Sequence, residues 1–329
     1  MNTRRFSLCL VIFFAVSCGK KEIPERAANV SPPVNSTNVQ STSPAPNQFV
    51  SNEIPASTVI PEESSKVPGQ EIYDAAVAVI RRAQNPAAAE EAMKLFREAA
   101  ELGNPAAQHA LGVSYFTGLG AAKSTEEALA WFHKSAAQGY ADAEFRIASI
   151  YIRGDGVPAD EAKALEFLRK AAERGHTEAQ YNLATLYSTG QSVPKDAAEA
   201  AKWFRKAAEA GHPTAQSNVG VLYASGEVLE KNMEQAVQWW RKAAEQGQPS
   251  AQFNLAQSLF EGKSVAKDLV EAYKWYHLAA EQGDRDAARM RNALSVELRP
   301  SEIADALKRS REFNSQLHAR REAEKEKLF

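Results

Sequence analysis

The sequence predicts an all-α protein, a right-handed α/α solenoid of helical hairpins preceded by a disordered tether. The first observation is a fixed period, because six glycines lie 36 residues apart, at positions 103, 139, 175, 211, 247 and 283. The second is a recurring aromatic and basic segment before these glycines, clearest at Trp203–Lys206. The third is a segment before residue 70 that shows no apolar periodicity. A constant period of this length is typical of identical helical units stacked in a line.

Residues 1–17 are predicted to be a lipoprotein signal peptide. A short basic region precedes the apolar run Phe6–Val16, which is too short to span a bilayer. The run ends in Ala-Val-Ser-Cys-Gly at residues 15–19, which resembles a bacterial lipoprotein box. The resemblance implies cleavage before Cys18 and lipid attachment to its sulfur. An ordinary secretory signal that happens to contain a cysteine is the alternative.

Residues 18–69 are expected to form the disordered tether that begins with the lipidated cysteine. Eight prolines interrupt any helix there, and the remaining composition is rich in Ser, Thr, Asn and Gln. Such a segment cannot bury enough apolar surface to offset its ordering entropy. As a flexible chain of about 50 residues it would reach on the order of 40 Å.

Each repeat then predicts two helices. The first follows the pattern Ala-x-x-x-Leu-Gly-x-x-Tyr, whose spacing of four and four places these residues on one helix face. A glycine ends it in each unit, at 118, 154, 190, 226 and 262. Six residues later comes a strong N-cap residue for the second helix: Ser124, Asp160, Asp196, Asn232 and Asp268. The second helix carries every tryptophan of the chain, and an aromatic stripe at this spacing predicts core packing.

These residues resemble the Sel1-like repeat family, a relative of the tetratricopeptide repeat. The resemblance covers residues 104–283 as five full units. It implies that residues 70–103 are an N-terminal capping helix pair and that residues 284–313 are C-terminal capping helices. Residues 314–329 are expected to be a charged, solvated helical tail.

The resemblance also implies that the first helices line a concave groove that binds a protein or peptide. Counting two, three and nine residues from each anchor alanine gives fifteen positions, and eleven of them are the predicted groove residues: His109, Phe116, Phe145, Arg146, Ile152, Tyr181, Asn182, Asn218, Phe253, Asn254 and Phe260. Three of them, Asn182, Asn218 and Asn254, repeat with the period of the stack, and we call them the asparagine ladder. Their amides can either bind the backbone of an extended peptide or hydrogen-bond the neighbouring repeat. The sequence leaves both alternatives open.

Other chemistry finds little support. Ser192–Lys195 and Ser264–Lys267 match the Ser-x-x-Lys motif of penicillin-recognising enzymes, but both copies fall in the same loop of the repeat and their partner motifs do not occur. His176 and His212 occupy equivalent positions in adjacent units, so no metal site is expected, and no cofactor is expected either. The balance of 39 basic against 41 acidic side chains gives no electrostatic footprint for nucleic acid.

The sequence therefore predicts a non-enzymatic scaffold, anchored in the cell envelope by its N-terminal lipid and binding a protein or peptide in its groove. Gly19 after the cysteine is not the Asp that favours retention in the inner membrane, so the outer membrane facing the periplasm is the expected location. Two alternatives remain. One is a peptidoglycan- or glycan-binding module, and the other is a β-lactamase-like or cell-wall-acting enzyme.

Overall fold

The computed structural model describes residues 67–82 and 86–328, which form fourteen helices and no strand within those ranges. The predicted signal peptide, Cys18 and the tether up to residue 66 lie outside the described residues. The helices are α1 (Gln70–Arg82), α2 (Pro86–Glu101), α3 (Pro105–Thr117), α4 (Thr125–Ala137), α5 (Ala141–Arg153), α6 (Glu161–Glu173), α7 (Thr177–Thr189), α8 (Ala197–Glu209), α9 (Pro213–Ser225), α10 (Met233–Glu245), α11 (Pro249–Glu261), α12 (Leu269–Glu281), α13 (Arg285–Leu294) and α14 (Pro300–Leu328).

Helices α3 to α12 alternate between first and second helices of the repeat, and each is 13 residues long. Each first helix packs against the second helix of its own unit and against the second helix of the unit before it. Every unit thus contacts only its neighbours, as in other linear repeat stacks. The predicted all-α solenoid of helical hairpins is confirmed.

The predicted helix ends are also confirmed. All five glycines that follow the first helices adopt left-handed backbone conformations, with φ between 66° and 80°. All five predicted N-cap side chains accept a backbone N–H from the first turn of the second helix. Asp196, for example, accepts the N–H groups of Ala198 and Glu199 at 3.0 Å each. Local sequence therefore sets where each helix begins and ends.

The core runs along the stack as rows of equivalent side chains. The five anchor alanines are completely buried. In each first helix, the residue that follows the core aliphatic side chain faces a large side chain of the second helix, 20 residues later. This residue is glycine in two units, at Gly112 and Gly220. A Cβ atom on Gly112 would lie 2.5 Å from the Phe132 ring, and one on Gly220 would lie 2.4 Å from the Trp240 indole nitrogen. Glycine is therefore required there by close packing, since neither glycine has a positive φ.

Buried glutamines join consecutive units. Gln108, next to the first anchor alanine, donates its amide to the Ala100 carbonyl at the end of α2, at 3.1 Å. Its Oε1 accepts from Gln138, which follows the second helix of its own unit, at 2.8 Å. Gln216 and Gln252 make the same pair of bonds in their units. Each such glutamine therefore ties the ends of two successive second helices through one first helix.

The C-terminal helix α14 packs on the last unit, with Ala306, Ser310 and Phe313 buried and the Phe313 ring 5.1 Å from that of Trp275. The expectation of a fully solvated tail after residue 313 was wrong in part. Leu317 is half-buried beside Gly247, and the Arg321 guanidinium donates to the Gln246 carbonyl at 3.0 Å. The helix thus reaches back over one further unit, because Gly247 leaves room for the Leu317 side chain.

The close contact between Gly220 and Trp240 predicts that adding a methyl group at residue 220 destabilises the fold. Gly220→Ala should lower the free energy of unfolding by about 1–3 kcal/mol, because the added Cβ overpacks a buried indole ring. Urea unfolding followed by circular dichroism measures this change.

The chain supplies its own rescue variant, because the equivalent unit combines Ala184 with Phe204. Adding Trp240→Phe to Gly220→Ala should recover part of the lost stability. An unchanged midpoint for Gly220→Ala would show that the helices separate freely and that the close approach is not required.

Candidate functional site

The predicted groove residues lie on five successive first helices, α3, α5, α7, α9 and α11. The positions two and three residues after each anchor alanine recur once per unit, so equivalent side chains line up along the stack. Ten of the eleven predicted residues are half-buried, and Ile152 is 58% exposed. The face is neither core nor freely solvated surface.

The asparagine ladder occupies the position three residues after the anchor alanine on α7, α9 and α11. Its three side chains are half-buried, and their amides form no hydrogen bond with any residue in the described part of the chain. The one bond recorded for the ladder uses the backbone, where the Ser258 hydroxyl donates to the Asn254 carbonyl at 3.0 Å. The alternative in which these amides bind the neighbouring repeat therefore has no support within the described residues.

Arg146 occupies the same position on α5, one unit before the ladder. Its side chain is half-buried, and burial lowers the pKa of the guanidinium while the Asp142 carboxylate opposes that shift. A cation thus directly precedes the three amides along the stack. Amides offer donors and acceptors together, and a guanidinium offers donors for carbonyl or carboxylate oxygens.

Aromatic rings occupy the position two residues after the anchor alanine, but the structure gives them a partner within the chain. The Phe145 ring stacks on the imidazole of His176 and the Tyr181 ring on that of His212, each with centroids 4.3 Å apart. In both pairs the histidine belongs to the next unit. These rings therefore join adjacent units, and one face of each is already covered.

The two histidines also act as helix caps, a role that the sequence analysis missed. His176 Nδ1 accepts the N–H of Ala179, and His212 Nδ1 accepts that of Ala215, each at 3.1 Å. Their Nε2 atoms lie 3.5 Å from Asp142 and 3.2 Å from Glu178, respectively. The period contained a signal for this role, because the equivalent positions 104 and 284 carry Asn and Asp, which are common N-cap residues.

These contacts change the pKa values of the two carboxyl groups. The hydrogen bond from His176 lowers the pKa of Asp142, and the bond from His212 lowers the pKa of Glu178. In each case the bond stabilises the ionised carboxylate more than burial disfavours it. Carboxylate, histidine and aromatic ring thus form one joint at each of the two central unit boundaries.

His109 is placed differently from the other predicted groove residues. Its imidazole packs 5.5 Å from the Phe132 ring and 5.3 Å from the Tyr140 ring, measured between centroids. Its Nε2 atom is buried and has no hydrogen-bond partner within the described residues. Burial lowers the pKa of His109 to about 4, so the imidazole is neutral at physiological pH.

Both Ser-x-x-Lys segments lie in loops, and their serines have an unusual backbone. Ser192 and Ser264 have positive φ values of 65° and 57°, and the equivalent Gly120 and Gly156 have φ values of 74° and 76°. These serines therefore occupy a turn position that suits glycine. No group of three or more potential metal ligands occurs in the part of the chain that the structure describes. Among the described helices, none is long and apolar enough to cross a bilayer.

Comparison with protein families gave a match to the Sel1 repeat over residues 86–104, 105–140, 141–176, 177–212, 213–248 and 249–284. The first of these stretches lies in the segment that the sequence analysis assigned to the N-terminal helix pair. A comparison with curated proteins returned no match.

Two solved structures are similar in sequence and fold. A Sel1 repeat protein from Oxalobacter formigenes is 31% identical, with 74% of this chain and 94% of that protein covered and a TM-score of 0.57. The protein c5321, a protective antigen of uropathogenic Escherichia coli with the same repeat fold, is 26% identical over 81% of this chain, with a TM-score of 0.54. This chain spans 65% of the length of that antigen.

The carboxylate–histidine contacts predict that the stability of the fold depends on pH in the acidic range. Asp142 and Glu178 have lower pKa values folded than the usual value of about 4, so their bonds stabilise the fold above about pH 4. That contribution is lost as the pH falls through their folded values. Asp142→Asn with Glu178→Gln should therefore be less stable than the parent at pH 7, and the difference should shrink as the pH falls below about 4. Urea unfolding between pH 7 and pH 3 measures the difference.

Glu98→Gln, an exposed carboxyl in the body of α2 away from the joints, is the control and should match the parent at each pH. A stability difference that stays constant from pH 7 to pH 3 would contradict the assignment of these carboxylates to the joints.

Proposed function

The chain belongs to the Sel1 repeat family, and we propose that it is a lipid-anchored envelope scaffold that binds an extended protein segment along the asparagine ladder. Sel1 repeat solenoids are typical protein–protein interaction modules and are generally non-catalytic. In this proposal the ladder is the binding site, Cys18 carries the lipid anchor, and the outer membrane is the location.

One observation carries the proposal. The ladder presents three half-buried amides at equivalent positions of successive units, and none is hydrogen-bonded within the described residues. An extended peptide offers backbone N–H and C=O groups at regular intervals, and an amide side chain can pair with both. A side chain that is half-buried before binding also loses less conformational freedom when a partner orders it. The ladder therefore suits a backbone ligand.

The same face favours a peptide over a glycan. Sugar rings stack on free aromatic faces, and Phe145 and Tyr181 each have one of their two faces already covered by a histidine. An enzyme with a Ser-x-x-Lys nucleophile has still less support, because Ser192 and Ser264 occupy the turn position that glycine holds in other units. Protein binding is the function that this surface supports best.

Removing the ladder amides tests this function. Asn182→Ala, Asn218→Ala and Asn254→Ala combined should weaken binding of the captured partner by roughly 10- to 2,000-fold, because each lost amide removes hydrogen bonds worth about 0.5–1.5 kcal/mol. The full mature chain is cross-linked in envelope extract, and the captured protein is identified by mass spectrometry. Its affinity for parent and variant is then measured with purified components.

A matched control replaces one exposed side chain per unit on the second helices, at the same period: Glu166→Ala, Lys202→Ala and Gln238→Ala. This variant should bind like the parent, and circular dichroism should show both variants folded. Equal affinity for the ladder variant would place binding elsewhere. Co-sedimentation of the parent with purified peptidoglycan, without a protein partner, would favour the glycan module, and hydrolysis of nitrocefin would favour the enzyme.

The anchor has its own test. Cys18→Ser should abolish incorporation of labelled fatty acid and move the protein from the membrane fraction to the soluble fraction, because the thiol is the only attachment point proposed. Cys9→Ser should leave both properties unchanged. Continued membrane association of the Cys18→Ser protein would reject the lipid anchor and leave the ladder proposal untouched.

A further inference from the structure

Arg146 on α5 is a half-buried cation without a partner. Its guanidinium forms no hydrogen bond and no ion pair with any residue in the described part of the chain. The other half-buried arginine of that part, Arg291, donates two hydrogen bonds to the Asn292 side chain, and the remaining arginines there are exposed. A guanidinium that has lost part of its hydration and has no acceptor in its own chain keeps unsatisfied donors.

The charged groups near Arg146 are engaged with other residues. Asp142, one helical turn earlier, opposes the lowering of the Arg146 pKa by burial, but its carboxylate is already hydrogen-bonded to His176. Arg153, two turns later, is a second cation and is paired with Asp155. The Arg146 guanidinium therefore keeps its donors for a ligand.

Packing does not account for a cation at this position. Arg146 lies three residues after the anchor alanine of its unit, and the equivalent positions carry Ala110 on α3 and the asparagine ladder on α7, α9 and α11. Neutral side chains of two sizes therefore occupy the same place in four other units. The charge belongs to this unit alone, one unit before the ladder residue Asn182.

The row of equivalent positions continues past Arg146 to α1. The centroids of the Tyr73 and Phe96 rings are 5.6 Å apart. The equivalent rings of the next unit, His109 and Phe132, have centroids 5.5 Å apart, so α1 keeps the register of the repeat. A segment bound along the ladder can therefore extend beyond Arg146 over two further first helices. An internal residue of that segment, not a chain end, then lies over the guanidinium.

We propose that Arg146 binds the carboxylate of an aspartate or glutamate within the partner segment that lies along the asparagine ladder. This inference rests on the proposed function and adds a sequence requirement to it. A planar guanidinium pairs with a carboxylate through two parallel N–H···O bonds, which a backbone carbonyl cannot offer. Partial burial reduces the screening of such a pair by salt. The ladder contacts the backbone of the segment, and Arg146 fixes which of its residues lies at α5.

Four peptides test the proposal. Each has eleven mostly Ser and Thr residues and an uncharged fluorophore at the N-terminus. Three are C-terminally amidated and carry a central Glu, Gln or Lys, and the fourth is the Gln peptide with a free C-terminal carboxylate. Each is titrated into the full mature chain in detergent and followed by fluorescence anisotropy. The Glu peptide should bind saturably and at least about tenfold more tightly than the other three, because it alone offers an internal carboxylate.

Variants separate the guanidinium from the ladder. Arg146→Asn supplies the residue that three other units carry, so it should fold, and it should bind the Glu and Gln peptides equally. The triple alanine variant of the ladder should weaken both peptides by a similar factor. Arg205→Gln removes the same charge from an exposed second-helix position, where Arg205 pairs with Glu209 at 3.5 Å, and should bind like the parent.

The outcomes separate this inference from the proposed function. A preference for the Glu peptide that survives in folded Arg146→Asn would overturn the inference, as would equal binding of the Glu and Gln peptides to the parent or no saturable binding of the Glu peptide. Tight, Arg146-dependent binding of the free-carboxylate peptide would assign the site to a chain end instead. A captured partner that loses affinity in the ladder variant but not in Arg146→Asn would leave the ladder function standing and reject the acidic residue.

Discussion

Buried polar side chains at the boundaries between units, most often glutamines, are the interaction on which the rest of the stack depends. A linear stack has no distant contacts, so each boundary between units must fix the position of the next unit. Gln108, Gln216 and Gln252 do this with hydrogen bonds to the helix before and the helix after, in a site where an unpaired amide would be costly. The unit that begins at Ala141 uses an ion pair instead, between buried Glu144 and Arg174 at 3.1 Å.

The contacts at the unit boundaries set the regular spacing of the asparagine ladder. Amides at equivalent positions form a regular row only if every boundary repeats with similar geometry. The histidine joints strengthen the two central boundaries, where a carboxylate, an imidazole and an aromatic ring connect α5 with α7 and α7 with α9. Rigid spacing is what a row of side chains needs to match the regular backbone of an extended peptide.

Individual units depart from the repeat pattern at a few positions. Residues that recur in each unit, such as the anchor alanines and helix-end glycines, are explained by packing and backbone conformation. Leu168 and Ala159 break the pattern in a single unit, where the other full units carry an aromatic residue and a lysine, and both line one cavity.

The sequence by itself determined the helices, their caps, the period and the buried rows, because these follow from local backbone preferences and from spacing along one chain. It also identified the asparagine ladder as a row. Only the tertiary structure decided what each side chain contacts across a unit boundary. It showed that Phe145 and Tyr181 stack on histidines, that the ladder amides have no partner within the described residues, and that Leu317 covers Gly247. Such contacts join residues about 30 or more positions apart, and their geometry depends on how closely two helices approach, which side-chain volumes at the boundary set together.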